Sequence, residues 1–239
     1  MIATIINCAL IILGSLLGIA LRNTISERFL RILIQALSLS VLAIGISSAI
    51  ATENTLCLII CMVLGTLIGE GLRIEDRLDS AGEFLKKKLI RGRENSRFTE
   101  GFVTASVLFC VGAMAVMGAI DAGIKGDYSI LLSKSVIDAV TAISFAAAMG
   151  IGVAFSAIPI LIYQGGLTLL AGLVANLLTD AMILEMSAVG GVIIVGIGLN
   201  MLGLSEKKVK VSNMLPAIFL PLLYLPLSQW LTAVVPSLG

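Results

Sequence analysis

The chain has no histidine and little charge: 16 lysines and arginines and 15 acidic residues make up 13% of its 239 residues. A soluble domain carries about a quarter charged residues, so there is too little polar material here to cover a globule in water. Without histidine it lacks the side chain best suited to proton transfer near neutral pH and a principal zinc ligand. The four cysteines, Cys8, Cys57, Cys61 and Cys110, all fall in apolar runs, where cysteine behaves as a small apolar residue. Cys57 and Cys61 share a helix face, but no second pair completes a zinc set and no disulfide framework is expected. No phosphate-cradling P-loop, HExxH or G-x-S-x-G pattern occurs. Neither an enzyme nor a cofactor is expected, and no metal beyond a transported cation.

What the chain has instead is 58% apolar residues and a mean hydropathy of +1.08. Apolar runs at 2–21, 31–50, 54–70, 101–120, 129–149, 153–176, 183–203 and 211–231 are about as long as a bilayer-spanning helix requires. Between them sit three basic clusters: Arg22, Arg28 and Arg31; Arg73, Arg77, Lys86, Lys87, Lys88, Arg91, Arg93 and Arg97; and Lys207, Lys208 and Lys210. Basic connections stay in the cytoplasm. Eight spans with the amino terminus outside put all three clusters inside. The short connections carrying Glu53, Asp121, Asp127 and Asp180 then fall outside. This bias accounts for the clusters without a nucleic-acid partner. The predicted fold is an all-α polytopic membrane bundle, a single integral domain over 1–239. Residues 129–149 and 153–176 are either two spans or a re-entrant pair, and Pro159 with Gln164-Gly165-Gly166 suggests a broken helix there.

The longest connection, 72–100, places Ile74, Leu78, Ala81, Leu85 and Leu89 near helical spacing, which predicts an amphipathic cytoplasmic helix. An internal echo relates Gly14-Ser-Leu-Leu-Gly18 to Gly65-Thr-Leu-Ile-Gly69. Glycines four apart let helices approach closely in lipid, so these four are read as helix-packing positions. A fainter likeness joins Ile44-Gly45-Ile46-Ser47 to Ile197-Gly198-Leu199-Asn200 on oppositely directed spans.

Ionisable groups deep in lipid are costly and mark pathways or partners. Asp138 lies roughly 13 to 14 Å into its span and Gln164 roughly 16 Å into the next, at 1.5 Å per residue, so the two meet near the midplane if both segments cross. Ser133, Ser135, Thr141 and Ser144 surround Asp138 in sequence, and Lys134 precedes it by one turn. Hydroxyl, amide and carboxylate oxygens are hard ligands that suit a small cation. The local alternative is an i, i+4 ion pair between Lys134 and Asp138, with the lysine stem snorkelling outward. Asn200, Gln35, Ser38 and Ser40 are secondary candidates, explained first by interhelical hydrogen bonds. Glu70 and Glu185 sit at span boundaries, where exposure is expected. Asp121 and Asp127, beside Gly123 and Gly126, read as a turn.

The run Cys110-Val-Gly-Ala-Met-Ala-Val-Met-Gly118 resembles the bacterial YdfK/YqgA-like family. So do Gly126-Asp127-Tyr128, Lys134-Ser135, Asp138, Gly150-Ile-Gly152, Tyr163-Gln164-Gly165, Gly198-Leu-Asn200 and Asn213-Met-Leu-Pro216. The resemblance covers the chain and implies a multi-pass cell-membrane protein of a domain-of-unknown-function family, loosely described as a possible sodium channel or pump. It carries over no functional residue.

Together these readings describe a transporter or channel for a small cation, sodium or proton, or for a cation-coupled small solute. Asp138, Gln164, Ser135, Thr141, Lys134 and Asn200 are its candidate ligands, and its partners are the bilayer and further copies of itself. The rival class is a non-transporting membrane scaffold or signalling protein whose polar residues only hold helices together.

Overall fold

A computed structural model describes residues 1–22, 26–78, 80, 98–174, 177–204 and 207–234. Most of the 72–100 connection, including its Lys86–Arg97 charges, lies outside the described residues; of the expected amphipathic helix, residues 74–78 form a helical turn.

In hydrocarbon every backbone polar group must bond within its own segment, and the apolar runs accordingly fold as helices. In chain order they are α1 (Ile2–Arg22), α2 (Glu27–Ala49), α3 (Thr55–Gly71), α4 (Phe98–Cys110), α5 (Ala113–Ile124), α6 (Ser129–Met149), α7 (Gly152–Phe155), α8 (Ala157–Leu169), α9 (Ala171–Val174) and α10 (Asp180–Leu202). A 3-10 segment (Val211–Phe219) and α11 (Pro221–Val234) complete the order. No strand occurs among the described residues.

Five helical segments are long and apolar enough to cross a membrane: Ile2–Arg22, Arg28–Ala49, Ser129–Met149, Gly152–Leu169 and Asp180–Leu202. Two bent pairs bring the number to seven if each is one span. The remaining expected span, 54–70, is α3, a shorter apolar helix whose 17 residues stand at the lower limit of what a bilayer core requires. The described helices thus give five to seven candidate spans, against the eight expected from hydropathy.

Both bends interrupt runs expected to be continuous. Within 101–120 the chain turns by 58° between Phe98–Cys110 and Met114–Ile124, at Gly112, whose φ of 121° is open to few residues other than glycine. Within 211–231 the bend is 46°. Pro216 lies in the 3-10 segment before it and Pro221 opens the helix after it; proline has no N–H to continue an α-helical ladder. In the sixth run the break falls at Ser156, between α7 and α8, and not at Gln164-Gly165-Gly166, which lies inside regular helix. Pro159 is tolerated because it sits in the first turn of α8, where N–H groups have no partner within the helix.

Three close pairings build the bundle: α1 with α6, α2 with α10, and α3 with the 3-10 segment. Each uses glycines. A Cβ on Gly14 would lie 2.6 Å from the Ala139 carbonyl oxygen, and one on Gly18 2.2 Å from that of Ile143, so α1 and α6 run side by side in the same direction. The echo of this motif, Gly65 and Gly69, meets Ala217 and Asn213 at 2.3 and 1.8 Å, an antiparallel contact. Gly45 meets the Gly191 carbonyl at 2.8 Å and Gly198 meets the Leu42 side chain at 2.7 Å, which makes α2 and α10 antiparallel. Of the five long segments, α10 is the most enclosed and α2 the least. Large apolar side chains such as Leu17, Ile32, Leu39 and Leu67 face outward, where lipid rather than water suits them.

Candidate functional site

The buried face of α1 repeats at positions 3, 4, 7, 8, 11, 14, 15 and 18, a helical stripe. Most of it is small or apolar, but Thr4, Asn7 and Ser15 are wholly enclosed. The buried face of α6 carries Leu131, Lys134, Ser135, Asp138, Ala142, Phe145 and Met149, again spaced by three and four. Because the glycines of α1 let the helices touch, the polar members of both stripes face one another. The third wall is α8, whose buried residues include Gln164 and Thr168.

Asn7 is the junction. Its Nδ2 donates to Asp138 Oδ2 and to Gln164 Oε1, each at 3.1 Å. Lys134 Nζ donates to the same Asp138 oxygen, closing the i, i+4 ion pair, and sits 5.9 Å from the centre of the Phe109 ring. Asn7, Lys134, Asp138 and Gln164 are 0, 6, 5 and 1% exposed. A buried polar group without a hydrogen bond is costly, yet three atoms of this cluster have none among the described residues: Thr4 Oγ1, Asn7 Oδ1 and Gln164 Nε2. The cluster therefore holds an ion pair, an unused amide acceptor and an unused amide donor within an apolar shell.

Of the expected ligands, Asp138, Lys134 and Gln164 come together. Lys134 does not snorkel; its stem is enclosed and its charge is held by Asp138. Ser135 lies on the same buried face, with its hydroxyl given to the Leu131 carbonyl at 2.6 Å. Thr141 lies off that face and donates to its own helix at Ile137 O, 2.8 Å. Ser133 is exposed, and Ser144 bonds Val140 O at 3.4 Å. Asn200 is remote: its amide clamps the Val209 backbone, Nδ2 to O and Oδ1 from N, both at 2.8 Å. Ser38 and Ser40 bond back to the carbonyls of Ile34 and Ala36.

Residue-by-residue reading missed Asn7 and Thr4. The signal was available in Asn7, an amide inside an otherwise apolar first run, which needs a partner at that depth.

Other polar groups tie the ends of the bundle. Glu185, expected exposed, is 2% exposed and accepts from Thr52 Oγ1 at 2.6 Å, Glu53 N at 2.9 Å and Asn54 N at 3.0 Å. Asn54 in turn caps α3 through Cys57 N. Asn213 joins Glu70 Oε2 at 2.6 Å to the Glu75 N–H at 2.7 Å. Lys210 pairs with Glu70 at 2.9 Å, and this bond raises the lysine above its ordinary pKa. In the turn before α6, Ser129 donates its hydroxyl and amide to Asp127 at 2.6 and 2.9 Å. These two bonds hold the exposed carboxyl of Asp127 below the usual carboxylate range. Lys125 and Asp121 pair at 2.7 Å.

A family model described as "Protein of unknown function (DUF554)" matches residues 2–225, nearly the whole chain. The chain belongs to the DUF554 family. "Uncharacterized membrane protein YdfK" of Bacillus subtilis (strain 168) is 31% identical over 225 residues, covering 92% of this chain and 94% of its own. "Uncharacterized protein YqgA" of Escherichia coli (strain K12) is 35% identical over 235 residues, 97% and 98% of the two chains. No solved structure matches. The Bacillus relative's name and the five to seven apolar helices make this DUF554 chain a multi-pass membrane protein.

Proposed function

We propose that the protein carries a small cation, sodium or a proton, or a small solute coupled to one, across the cell membrane, with Asp138 as the central charge. The observation that carries this reading is the buried cluster of Asp138, Lys134, Asn7 and Gln164, with unpartnered amide atoms beside the carboxylate. Helices in lipid need no such cluster to associate; close glycine packing already joins α1 to α6. Oxygens from a carboxylate, two amides and the Ser135 hydroxyl are the donor set a small hard cation takes. Asn200 and Thr141 stand outside this set.

In this reading the amino terminus faces outward and the connections 22–30, 71–100 and 204–210 face the cytoplasm. The helix directions fit this order of crossings whichever face is outside, since spans one and five run parallel, two and seven antiparallel, three and eight antiparallel; the sidedness itself rests on the basic clusters. The protein works as a homo-oligomer, which the mass of the detergent-extracted particle tests.

The deciding experiment is sodium-22 uptake into proteoliposomes, with and without a pH gradient, beside Asp138→Asn, Asp138→Ala and empty vesicles. Uptake by the wild type, lost in both variants while both remain folded, is the expected result. Uptake that survives Asp138→Asn overturns a charge-based site. No uptake of any cation from folded protein leaves the scaffold reading in its place.

A further inference from the structure

We infer that the polar cavity between the start of α4, the end of α10 and the 3-10 segment binds a small zwitterion, an α-amino acid with a short uncharged side chain. This goes beyond the transport reading. None of the residues around Asp138 lines the cavity, and it takes its ligand whether or not that cluster passes a cation.

The cavity holds about 210 Å³, several times the roughly 30 Å³ share of one water and less than the roughly 300–1,000 Å³ of sites for drug-sized ligands. Three charged side chains line it: Glu75 from the helical turn after α3, Glu100 from the first turn of α4 and Lys208 from the connection before the 3-10 segment. Glu75 is positioned through its backbone, whose N–H donates to Asn213 Oδ1 at 2.7 Å. Lys208 Nζ stands 3.4 Å from Glu100 Oε2, and the two side chains are 64 and 26% exposed. A close charge-assisted bond is about 2.7–2.9 Å long, and a loose exposed pair contributes little to stability. A ligand bearing both charges therefore enters between them at small cost, with its carboxylate accepting from Lys208 and its ammonium donating to Glu100 and Glu75.

Past this rim the wall carries two buried hydroxyls. Thr104 and Ser212 are 5 and 4% exposed and line the cavity, and neither hydroxyl takes part in a hydrogen bond among the described residues. Polar groups at that degree of burial ordinarily have a partner, and a hydroxyl can both donate and accept. Val103, Ile197 and Met201 give the same wall an apolar strip. A short side chain, apolar or hydroxylated, fits between the two. Asn200 also lines the cavity but offers no free amide, since both of its polar atoms are held by the Val209 backbone.

Charge decides among the ligand classes. Two carboxylates and one ammonium leave the lining with an excess negative charge, which repels phosphate and dicarboxylates. Lys208 stands against a lone metal cation in the same way. A neutral solute leaves the charged groups with only each other. A zwitterion meets both signs at once and adds no net charge to the site.

The test is isothermal titration of the purified full chain in detergent at neutral pH with L-serine and L-alanine. Ethanolamine, which keeps only the ammonium, propionate, which keeps only the carboxylate, L-aspartate and magnesium are titrated beside them. Saturable binding of serine or alanine at one site per chain is expected, with each of the other four at least tenfold weaker. Lys208→Ala and Glu100→Gln each weaken that binding at least tenfold, and Lys125→Ala, at the opposite end of the bundle, leaves it unchanged. No saturable binding of either amino acid by folded protein overturns the inference. Ethanolamine or magnesium binding as tightly as serine overturns it too, because the cavity then reads carboxylates alone. So does serine binding that survives both variants, which places the ligand elsewhere. The Lys208 side chain is mostly in solvent, so its replacement keeps the fold and decides alone if Glu100→Gln does not fold.

Discussion

Asn7 and Asp138, 131 positions apart in the chain, share a 3.1 Å hydrogen bond in which the same amide nitrogen also reaches Gln164 at 3.1 Å. One side chain thereby links α1, α6 and α8. Removing it in Asn7→Ala leaves Gln164 Oε1 without its donor and takes one of two donors from Asp138 Oδ2, whose other is Lys134, in an enclosed place. Each such loss costs about 1–3 kcal/mol, so the unfolding temperature in detergent falls. Asn7→Asp sets a second carboxylate against Asp138 and falls further at pH 8 than at pH 5, because like charges at this distance cannot both stay ionised. A thiol-reactive dye reads both, since Cys8, Cys57 and Cys61 are buried until the protein opens.

The helix-packing glycines separate into those that touch backbone and those that do not. Gly18→Ala places a methyl 2.2 Å from the Ile143 carbonyl oxygen, which forces α1 and α6 apart and destabilises by about 1–3 kcal/mol. Gly166, also inside a helix, has nothing within 4 Å of its missing Cβ. Gly166→Ala is expected to stabilise by about 0.4–1 kcal/mol through the unfolded chain. Opposite shifts in the same dye assay are the result to look for, and equal shifts would refute the close approach of α1 and α6.

Glu185 holds residues 52–54 by three hydrogen bonds from its buried position in the second turn of α10. Glu185→Ala leaves the Glu53 amide without an acceptor and the Asn54 amide with only Thr52 Oγ1 at 3.2 Å, a loss on the order of 2–3 kcal/mol given that bonds to charged groups are the stronger kind. Hydrogen exchange at residues 52–57 should quicken in Glu185→Ala and less so in Glu185→Gln, which keeps one acceptor oxygen. Unchanged exchange would show that Asn54 caps α3 without this support.

The bundle was legible because apolar runs are long and interrupted by charge: 129–149 as read from hydropathy is α6, and 2–21 is α1 but for one residue. The interruptions inside runs were less legible. Gly112 reads as one packing glycine among many until its φ is known, and hydropathy does not distinguish a 3-10 segment from an α-helix, although Pro216 and Pro221 marked the place. In the candidate site, depth alone brought Asp138 and Gln164 to one level, and the spacing of Lys134 foretold the ion pair. Thr141 and Asn200 could not be told apart in sequence from residues on the buried stripe, because depth and polarity carry no azimuth. Thr141 is three residues on from Asp138 but off the buried stripe, and Asn200 spends both amide atoms on the Val209 backbone. Glu185 was expected exposed and is buried, since a boundary position says nothing of which side faces α3.

Sidedness rests on charge, and the two ends of the bundle can be probed separately. Lys125 and Lys207 are both exposed and flank opposite ends of the predicted topology, one in the connection 121–128 and the other in 204–210. Positive charge is retained on the cytoplasmic side, and three clusters outweigh the single Lys125. A cysteine introduced as Lys125→Cys should therefore react with a membrane-impermeant maleimide in intact cells, and one introduced as Lys207→Cys only after permeabilisation. Cys8, Cys57 and Cys61 are buried and contribute little background. The reverse pattern would invert the whole topology, because the helix directions tie the two ends together. Labelling of both sites in intact cells would mean that the number of crossings between residues 125 and 207 is even. That would set one segment between them re-entrant against the antiparallel course of α2 and α10, with Gly152–Leu169, which follows α6 after a two-residue break at Gly150 and Ile151, the first to test.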